Sequence, residues 1–371
     1  MVAGVRDRLE GQRVQHRIPG MAGMIGFPDG TVQTFGLGHC DLDRTRPVEP
    51  NTLFGIASLT KTFTAVAILQ LAEAGMLHLD DRVADYFPAF AEVLPAAGSV
   101  RLIHLLSHAS GLPDYSRAFN LQTKWNSYTP EQQARFRAEE HHIGPAMETV
   151  DDLLEAMRLE SPEPIGSPGE RFNYSNEGFA LLGHVIERVS GLSYEAYLAR
   201  HVFDVLEMNR SRVAVPDAAA EPVTHLFEPD AKGFPTRVPA WPQAPATLAD
   251  GFVRTTVEDL YRYLVSFLEA RPGQRRLLRA SSRRNMATPR INIGPDSVTG
   301  PWYGLGWYLD RFHGARRMYH TGDMSGVASY MAVLPDHGAA VALLSNLTGG
   351  PAKAMGELLL EAAVYGGTGS L

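Results

Sequence analysis

Lysine is scarce in this chain of 371 residues, and cysteine is almost absent. The chain has 34 basic residues, so nearly every position that needs only a positive charge holds arginine. The single cysteine, Cys40, excludes a disulfide within the chain and argues against a metal site built from cysteines. The lysines are Lys61, Lys124, Lys232 and Lys353.

Long apolar runs are also missing, and the first seventeen residues mix four arginines with two acidic residues. Without an apolar core this segment does not resemble a signal peptide, and we expect an amphipathic helix there. No stretch approaches the roughly eighteen apolar residues of a membrane span. The net charge of -7 makes nucleic acid an unfavourable partner. We therefore expect a cytoplasmic protein whose partner is a small molecule or a short peptide-like substrate.

The pattern of apolar residues predicts an α+β fold, an antiparallel sheet flanked by helices with a mostly helical region inserted. A hairpin is expected at 21–27 and 31–36, and a buried helix starts near Ser58. Strand patterns return at 302–309, 317–321, 327–334 and 339–344. We predict a discontinuous sheet domain of 1–82 and 240–371 and a helical domain of 83–239, with a polar, irregular insert at 114–170.

The motif Ser58-Leu59-Thr60-Lys61 places a hydroxyl three residues before one of the rare lysines. Three positions apart on a helix, the two side chains share a face. A buried lysine can become a neutral amine near pH 7, whereas arginine cannot, so Lys61 is a candidate base beside a candidate nucleophile. The spacing also arises by chance, so context has to decide.

Two further segments carry candidate site residues. In residues 169–176, Tyr174 and Asn176 point to the same side of an extended chain. A buried tyrosine next to a turn asparagine is the simpler interpretation of that segment. His320-Thr321-Gly322 follows a predicted strand, where an edge could pair with a peptide-like substrate. Residues 142–144 repeat its spacing, but they do not follow a strand.

Taken in order, Ser-x-Thr-Lys, Tyr-Ser-Asn and His-Thr-Gly resemble the three motifs of the penicillin-recognising serine hydrolases. This superfamily includes class C β-lactamases, D-alanyl-D-alanine carboxypeptidases, esterases and D-amino-acid peptidases or amidases. Supporting stretches lie at 54–57, 104–113, 181–183, 303–307 and 345–346. The resemblance implies a β-lactamase/transpeptidase-like fold and an acyl-enzyme mechanism that needs no cofactor and no metal.

The resemblance also implies roles for the first two motifs. Ser58 would be the acylated nucleophile and Lys61 its base, while Tyr174 would relay protons to the leaving group or the deacylating water. Which of Lys61 and Tyr174 is the general base stays open. Asn176 would orient the acyl amide of the substrate.

The third motif is expected to bind the substrate. By the resemblance, His320 would line the leaving-group side together with Thr321. The oxyanion hole would combine the backbone N–H groups of Ser58 and of Asp323, the residue after Gly322. The sequence does not explain a carboxylate at this place, unless the Asp323 side chain turns away or binds a substrate amine.

His320 stands where β-lactamases have a lysine, so a fixed cation for a β-lactam carboxylate is missing. This favours a carboxylesterase or a D-stereospecific peptidase or amidase. The alternatives are a penicillin-binding D-alanyl-D-alanine carboxypeptidase, a β-lactamase and a catalytically silent receptor. His104 and His108 have a zinc-compatible spacing, but the glutamate of the metalloprotease motif is absent, so we do not expect a metal site.

Overall fold

An eight-stranded antiparallel sheet forms the centre of the molecule in a computed structural model. The structure describes residues 4–365 except 95, 114–146, 161–162, 216–221, 240, 242–243, 270–273 and 295–299. Across the sheet the order is β2-β1-β12-β11-β10-β9-β8-β7. These strands are β1 Gly20–Gly26, β2 Val32–Gly38, β7 Ile291–Asn292, β8 Trp302–Tyr303, β9 Tyr308–Phe312, β10 Ala315–Met324, β11 Val327–Leu334 and β12 Ala339–Ser345.

Two short antiparallel pairs lie outside this sheet, β3 Phe54–Gly55 with β6 Arg254–Thr255 and β4 Phe227–Pro229 with β5 Pro235–Arg237. None of the described helices combines the length and the apolar character that crossing a bilayer requires. The α-helices are α1 Val5–Gln15, α2 Thr60–Glu73, α3 Val83–Tyr86, α4 Leu102–Leu106, α5 Val150–Glu160, α6 Asn176–Ser190, α7 Tyr194–Leu198, α8 Asp204–Leu206, α9 Leu248–Gly251, α10 Val257–Val265, α11 Ala280–Met286 and α12 Ala352–Tyr365.

Both faces of the sheet are covered, so strands β11 and β12 are buried along their whole length. Successive residues of a strand point to opposite faces. Accordingly Tyr330 and Val341 belong to the core under α12, whereas Met331 and Ala342 belong to the larger core around α2. Because β1 pairs with β12, the sheet is complete only when the two ends of the chain meet.

The α+β class and the flanked antiparallel sheet are confirmed. The buried helix expected near Ser58 is α2, which begins at Thr60, and Ser58 itself lies in the 3-10 turn Ala57–Leu59 just before it. One local prediction needs correction. The strand predicted at 302–309 is split into β8 and β9, because the chain turns at Gly306 (φ +78), where an added Cβ would lie 2.7 Å from Ala65 Cβ of α2.

The inserted region contains α3 to α8 and the β4–β5 pair. Of the polar insert predicted at 114–170, residues 114–146 lie outside the described residues, and so does the 142–144 repeat. One continuous core contains Leu105 and Phe179 of the inserted region together with Met331 of the sheet. The division of the chain into two domains stays a prediction.

Candidate active site

Ser58 stands at the end of β3, in the turn that leads into α2. The residue before it, Ala57, has φ +47, a left-handed conformation that is unfavourable for a residue with a side chain. Ser58 is partly exposed, whereas every other residue from 52 to 69 is buried. The turn therefore presents one partly exposed hydroxyl above an otherwise buried segment.

The Lys61 amine lies next to that hydroxyl, with Nζ 3.0 Å from Ser58 Oγ. Nζ also donates to Asn176 Oδ1 at 2.7 Å and to the backbone carbonyl of Asp250 at 2.7 Å. The last two partners can only accept hydrogen bonds, whereas a hydroxyl can accept or donate. An ammonium can donate to all three oxygens, and a neutral amine, with two N–H donors and one lone pair, can keep the last two bonds while its lone pair turns to Ser58.

The side chain of Lys61 has no exposed surface. Burial disfavours the charged ammonium and lowers the pKa of Lys61 to about 8, although the carboxylates of Asp250 and Glu177 act in the opposite direction. A lysine in water has a pKa near 10.4. The amine is therefore far easier to deprotonate here than in water.

Asn176 reaches Lys61 because it is the first residue of α6. The side chain of Ser175 caps this helix and accepts a hydrogen bond from Gly178 N at 3.0 Å. The cap fixes where the helix begins, and with it the direction of the Asn176 side chain. The segment predicted from sequence thus ends in a helix start whose first side chain reaches the lysine.

Tyr174 is close to the serine, because an interaction with the Ser58 side chain favours its phenolate form. Its ring centroid is 4.9 Å from Lys61 Nζ. Burial raises the pKa of Tyr174 far above its ordinary value, more than the interaction with Ser58 lowers it. The phenol therefore keeps its proton at neutral pH.

The third motif lies within β10, whose pairing changes along its length. β9 pairs with residues 315–319 of β10, whereas β11 pairs with 318–324. At Gly322 an added Cβ would lie 2.4 Å from the backbone oxygen of Ile56 and 2.4 Å from Ser329 Oγ. Ser329 Oγ also donates to Ile56 O at 2.8 Å. Glycine is required because the turn that holds Ser58 packs directly on this strand.

The side chain of His320 has no exposed surface, and its expected place on the leaving-group side stays a prediction. Nδ1 lies 2.7 Å from the carbonyl of Thr321, so it carries the proton, and Nε2 accepts from the Tyr303 hydroxyl at 3.0 Å. Burial, with a further effect of Lys61, lowers the pKa of His320 to about 3. His320 is therefore a neutral, buried group, 6.4 Å from Tyr174 between ring centroids.

Asp323 turns its carboxylate away from the serine. Its Oδ2 accepts a hydrogen bond from Gly349 N at 2.8 Å, in the loop that leads to α12. Thr321, two residues earlier on the same strand, is half-buried, and Asp323 itself is exposed. A backbone N–H on the outer side thus binds the Asp323 carboxylate, which explains how a carboxylate is tolerated beside the proposed oxyanion hole.

Two residues at this centre were not predicted as site residues from sequence. The Asp250 side chain is 3% exposed, and burial raises its pKa to about 7 despite the opposing effect of Lys61. No local sequence pattern marks Asp250, because its role depends on its backbone carbonyl, which accepts a hydrogen bond from Lys61, 189 residues away in the sequence. His108 lies with its ring centroid 4.1 Å from that of Tyr174. The sequence signal for His108 was the stretch at 104–113, which supports the family resemblance.

His104 and His108, whose spacing is compatible with zinc, accept hydrogen bonds from the backbone instead. His104 Nδ1 accepts from Arg101 N at 3.2 Å, and His108 Nδ1 accepts from Ser175 N at 3.0 Å. Within the part of the chain that the structure describes, no group of three or more histidine, cysteine or acidic side chains is arranged to hold a metal ion. The two histidines instead act on the backbone around them.

Known proteins resemble this chain along most of its length. Penicillin-binding protein 4* of Bacillus subtilis is 29% identical over 83% of this chain and 64% of its own length. Penicillin-binding protein 4 of Amycolatopsis lactamdurans is 29% identical over 92% of this chain and 84% of its own. The chain thus spans slightly less than two thirds of the Bacillus relative.

Solved structures agree with this result. The octameric penicillin-binding protein homologue from Pyrococcus abyssi superimposes with a TM-score of 0.81 at 28% identity, over 98% of this chain and 77% of that one. A D-stereospecific amidohydrolase from Streptomyces sp. gives a TM-score of 0.78 at 25% identity over 99% of both chains. The Beta-lactamase family matches residues 5–364. With the serine, lysine and tyrosine brought together as described, this chain belongs to the Beta-lactamase family of serine hydrolases.

Proposed function

We propose that the protein is a serine hydrolase that forms an acyl-enzyme on Ser58 and acts on small esters or on D-amino-acid amides and short peptides. The observation that carries the proposal is the 3.0 Å contact of Lys61 Nζ with Ser58 Oγ, made by a fully buried amine. A pure binding cleft has no need of an amine with a lowered pKa. Cytoplasmic location stays a prediction from the sequence.

The pKa values favour Lys61 as the general base and Tyr174 as the proton donor. In acylation Ser58 Oγ gives its proton to Lys61 Nζ and attacks the substrate carbonyl carbon. The tetrahedral intermediate collapses when the bond to the leaving group breaks, and Tyr174 protonates that group while it takes the proton held by Lys61. Water then hydrolyses the acyl-serine, with the same groups moving its proton.

The backbone N–H groups of Ser58 and Asp323 are our candidates for the oxyanion hole. The close packing of Gly322 on Ile56 O supports this, because it brings the serine turn and β10 together. The NH2 group of Asn176 is the donor that its side chain can offer to a substrate carbonyl, since its oxygen binds Lys61.

The neutral, buried His320 argues for uncharged leaving groups. A β-lactam presents a carboxylate, for which a fixed cation at this position would be favourable. The Streptomyces structure is named for D-stereospecific amide hydrolysis and covers 99% of both chains. We therefore rank D-amino-acid amides and small esters above β-lactams.

The decisive experiment is covalent labelling followed by intact-protein mass measurement. A fluorophosphonate should add its phosphonyl group once, on Ser58, with loss of hydrogen fluoride, and Ser58→Ala should abolish the labelling. Ser99→Ala, at an exposed serine far along the chain, is the matched control and should label like the wild type. Label on another serine would refute the assignment of the nucleophile.

A substrate panel then separates the activities. We expect turnover of a short-chain nitrophenyl ester and of a D-alanine anilide, and little turnover of a chromogenic cephalosporin. No turnover of any of them, with a ligand still bound, would support the receptor alternative.

A second candidate is a penicillin-binding D-alanyl-D-alanine carboxypeptidase. The two penicillin-binding relatives, each 29% identical, favour it. A fluorescent penicillin that stays attached to Ser58 for many minutes, with release of D-alanine from a D-alanyl-D-alanine peptide, would place this activity first. Rapid loss of the label would instead indicate a β-lactamase.

A further inference from the structure

His108 makes hydrogen bonds on both sides of Tyr174. The backbone oxygen of His108 accepts from Asn173 N at 2.8 Å, and its ring Nδ1 accepts from Ser175 N at 3.0 Å. The peptide N–H groups before and after the tyrosine residue are therefore both held by one residue. The imidazole also lies against the Tyr174 ring, with centroids 4.1 Å apart and planes inclined by 30°.

We infer that His108 is the positioning residue that holds the Tyr174 phenol at Ser58. The inference rests on the proposed function, since it gives Tyr174 a reaction to serve. His108 contacts the Tyr174 ring and binds the backbone on both sides of it, so it acts through Tyr174. A loop tyrosine would otherwise have rotational freedom about its backbone, and proton transfer needs a donor held within a few tenths of an ångström.

The bond to Ser175 N defines the form of the imidazole. Nδ1 accepts, so the proton of the neutral ring is on Nε2. The side chain is 1% exposed, and no described residue is a hydrogen-bond partner of Nε2. A doubly protonated ring would direct an N–H at the N–H of Ser175 and lose the bond. The positioning role therefore belongs to the neutral imidazole.

The backbone of His108 restricts which residue can replace it. Its φ is +53, in the left-handed region where histidine and asparagine are enriched. Asparagine also places an amide oxygen close to where the histidine has Nδ1. Phenylalanine offers the opposite combination, since it keeps a ring against Tyr174 but has no acceptor for Ser175 N. His108→Asn and His108→Phe thus separate the hydrogen bond from the ring contact.

We expect His108→Phe to slow hydrolysis of a D-alanine anilide about 100-fold in kcat, the lower end of what general acid–base catalysis contributes. KM should change little. The nitrophenyl ester should lose less, because nitrophenolate leaves without a proton. His108→Asn should recover the anilide rate to within about tenfold of wild type. His104→Phe is the matched control, because His104 also accepts a backbone N–H, from Arg101, but does not contact Tyr174.

A double-mutant cycle with Tyr174→Phe tests whether His108 acts through the tyrosine. In the Tyr174→Phe background, His108→Phe should cost no more than about twofold further. An equal loss in both backgrounds, or equal losses for ester and anilide, would overturn the inference and leave His108 as a packing residue. If His108→Phe does not fold, a folded His108→Asn that loses 100-fold or more on the anilide overturns it. A wild-type protein that neither hydrolyses a substrate nor labels on Ser58 refutes the proposed function itself.

Discussion

The proposed site has two walls that differ in how much of each is buried: a closed wall, formed by the serine turn and α2, and an open wall, formed by residues 321–324 at the end of β10. The closed wall carries Lys61, which has no exposed surface and whose Nζ makes three hydrogen bonds. The open wall carries Thr321, which is half-buried, and Asp323, which is exposed and accepts a hydrogen bond from Gly349 N. We therefore propose that the closed wall carries the chemistry and that the open wall contacts the substrate.

Burial gives the closed wall its reactivity. Lys61 of the closed wall and His320, which lies on β10 just before the open wall, can both be cations in water, yet burial lowers the pKa of both groups. The same desolvation raises the pKa of Tyr174, so that it remains a proton donor. The open wall instead offers backbone groups, which do not titrate.

The strongest challenge to the closed wall is Lys61→Arg, which keeps a positive charge and removes the base. Arginine cannot be deprotonated in a protein, so we expect kcat/KM for the nitrophenyl ester to fall about 10³-fold or more. Steady-state kinetics measures this effect. Lys232→Arg, at an exposed lysine, is the control and should leave the rate unchanged. Activity within tenfold of wild type would exclude Lys61 as the base.

Gly322→Ala tests the contact between the two walls. The added Cβ would meet Ile56 O and Ser329 Oγ, each at 2.4 Å, so the serine turn must move away from β10. We expect a loss of about 1–3 kcal/mol in the free energy of unfolding and a fall of about 100-fold in kcat. Denaturant unfolding and ester kinetics give the two values.

Gly98→Ala is the control for this change, since its Cβ would meet only Ala91 Cβ, at 3.7 Å. Normal activity and stability in Gly322→Ala would mean that the two walls are not rigidly joined.

The pH dependence of acylation reports on the closed wall directly. Because the neutral amine is the base and the pKa of Lys61 is about 8, kcat/KM should rise with pH and level off above that value. Below it the ammonium form dominates and the rate should fall about tenfold per pH unit. Ester hydrolysis from pH 5 to 10 measures the profile. A rate still rising steeply at pH 10 would show an ordinary, solvated lysine.

The smallest expected effect is a shift of that profile in Asp250→Asn. The carboxylate of Asp250 raises the pKa of Lys61, so its removal should move the ascending limb to lower pH. The plateau rate should change little, because the backbone carbonyl that binds Lys61 remains. Asp85→Asn, at an exposed aspartate, should leave the profile in place. A shift to higher pH would contradict the assigned electrostatic effect.

Local sequence patterns predicted much of the secondary structure. The hairpin of β1 and β2, the N-terminal helix α1 and the strand at Val327–Leu334 were predicted closely, because apolar runs and turn residues act over a few positions. The break between β8 and β9 was not, since it depends on the close approach of Gly306 to Ala65 in α2. Contacts between distant segments leave no such periodic trace.

By itself the sequence determined the three motifs, the α+β class and the one lysine that could serve as a base. Only the tertiary structure decided that a carbonyl 189 residues away binds Lys61, that His320 is buried and that Asp323 faces outward. The reason is physical: residue type sets which chemistry is available, whereas protonation depends on burial and on neighbours that the folded chain brings together.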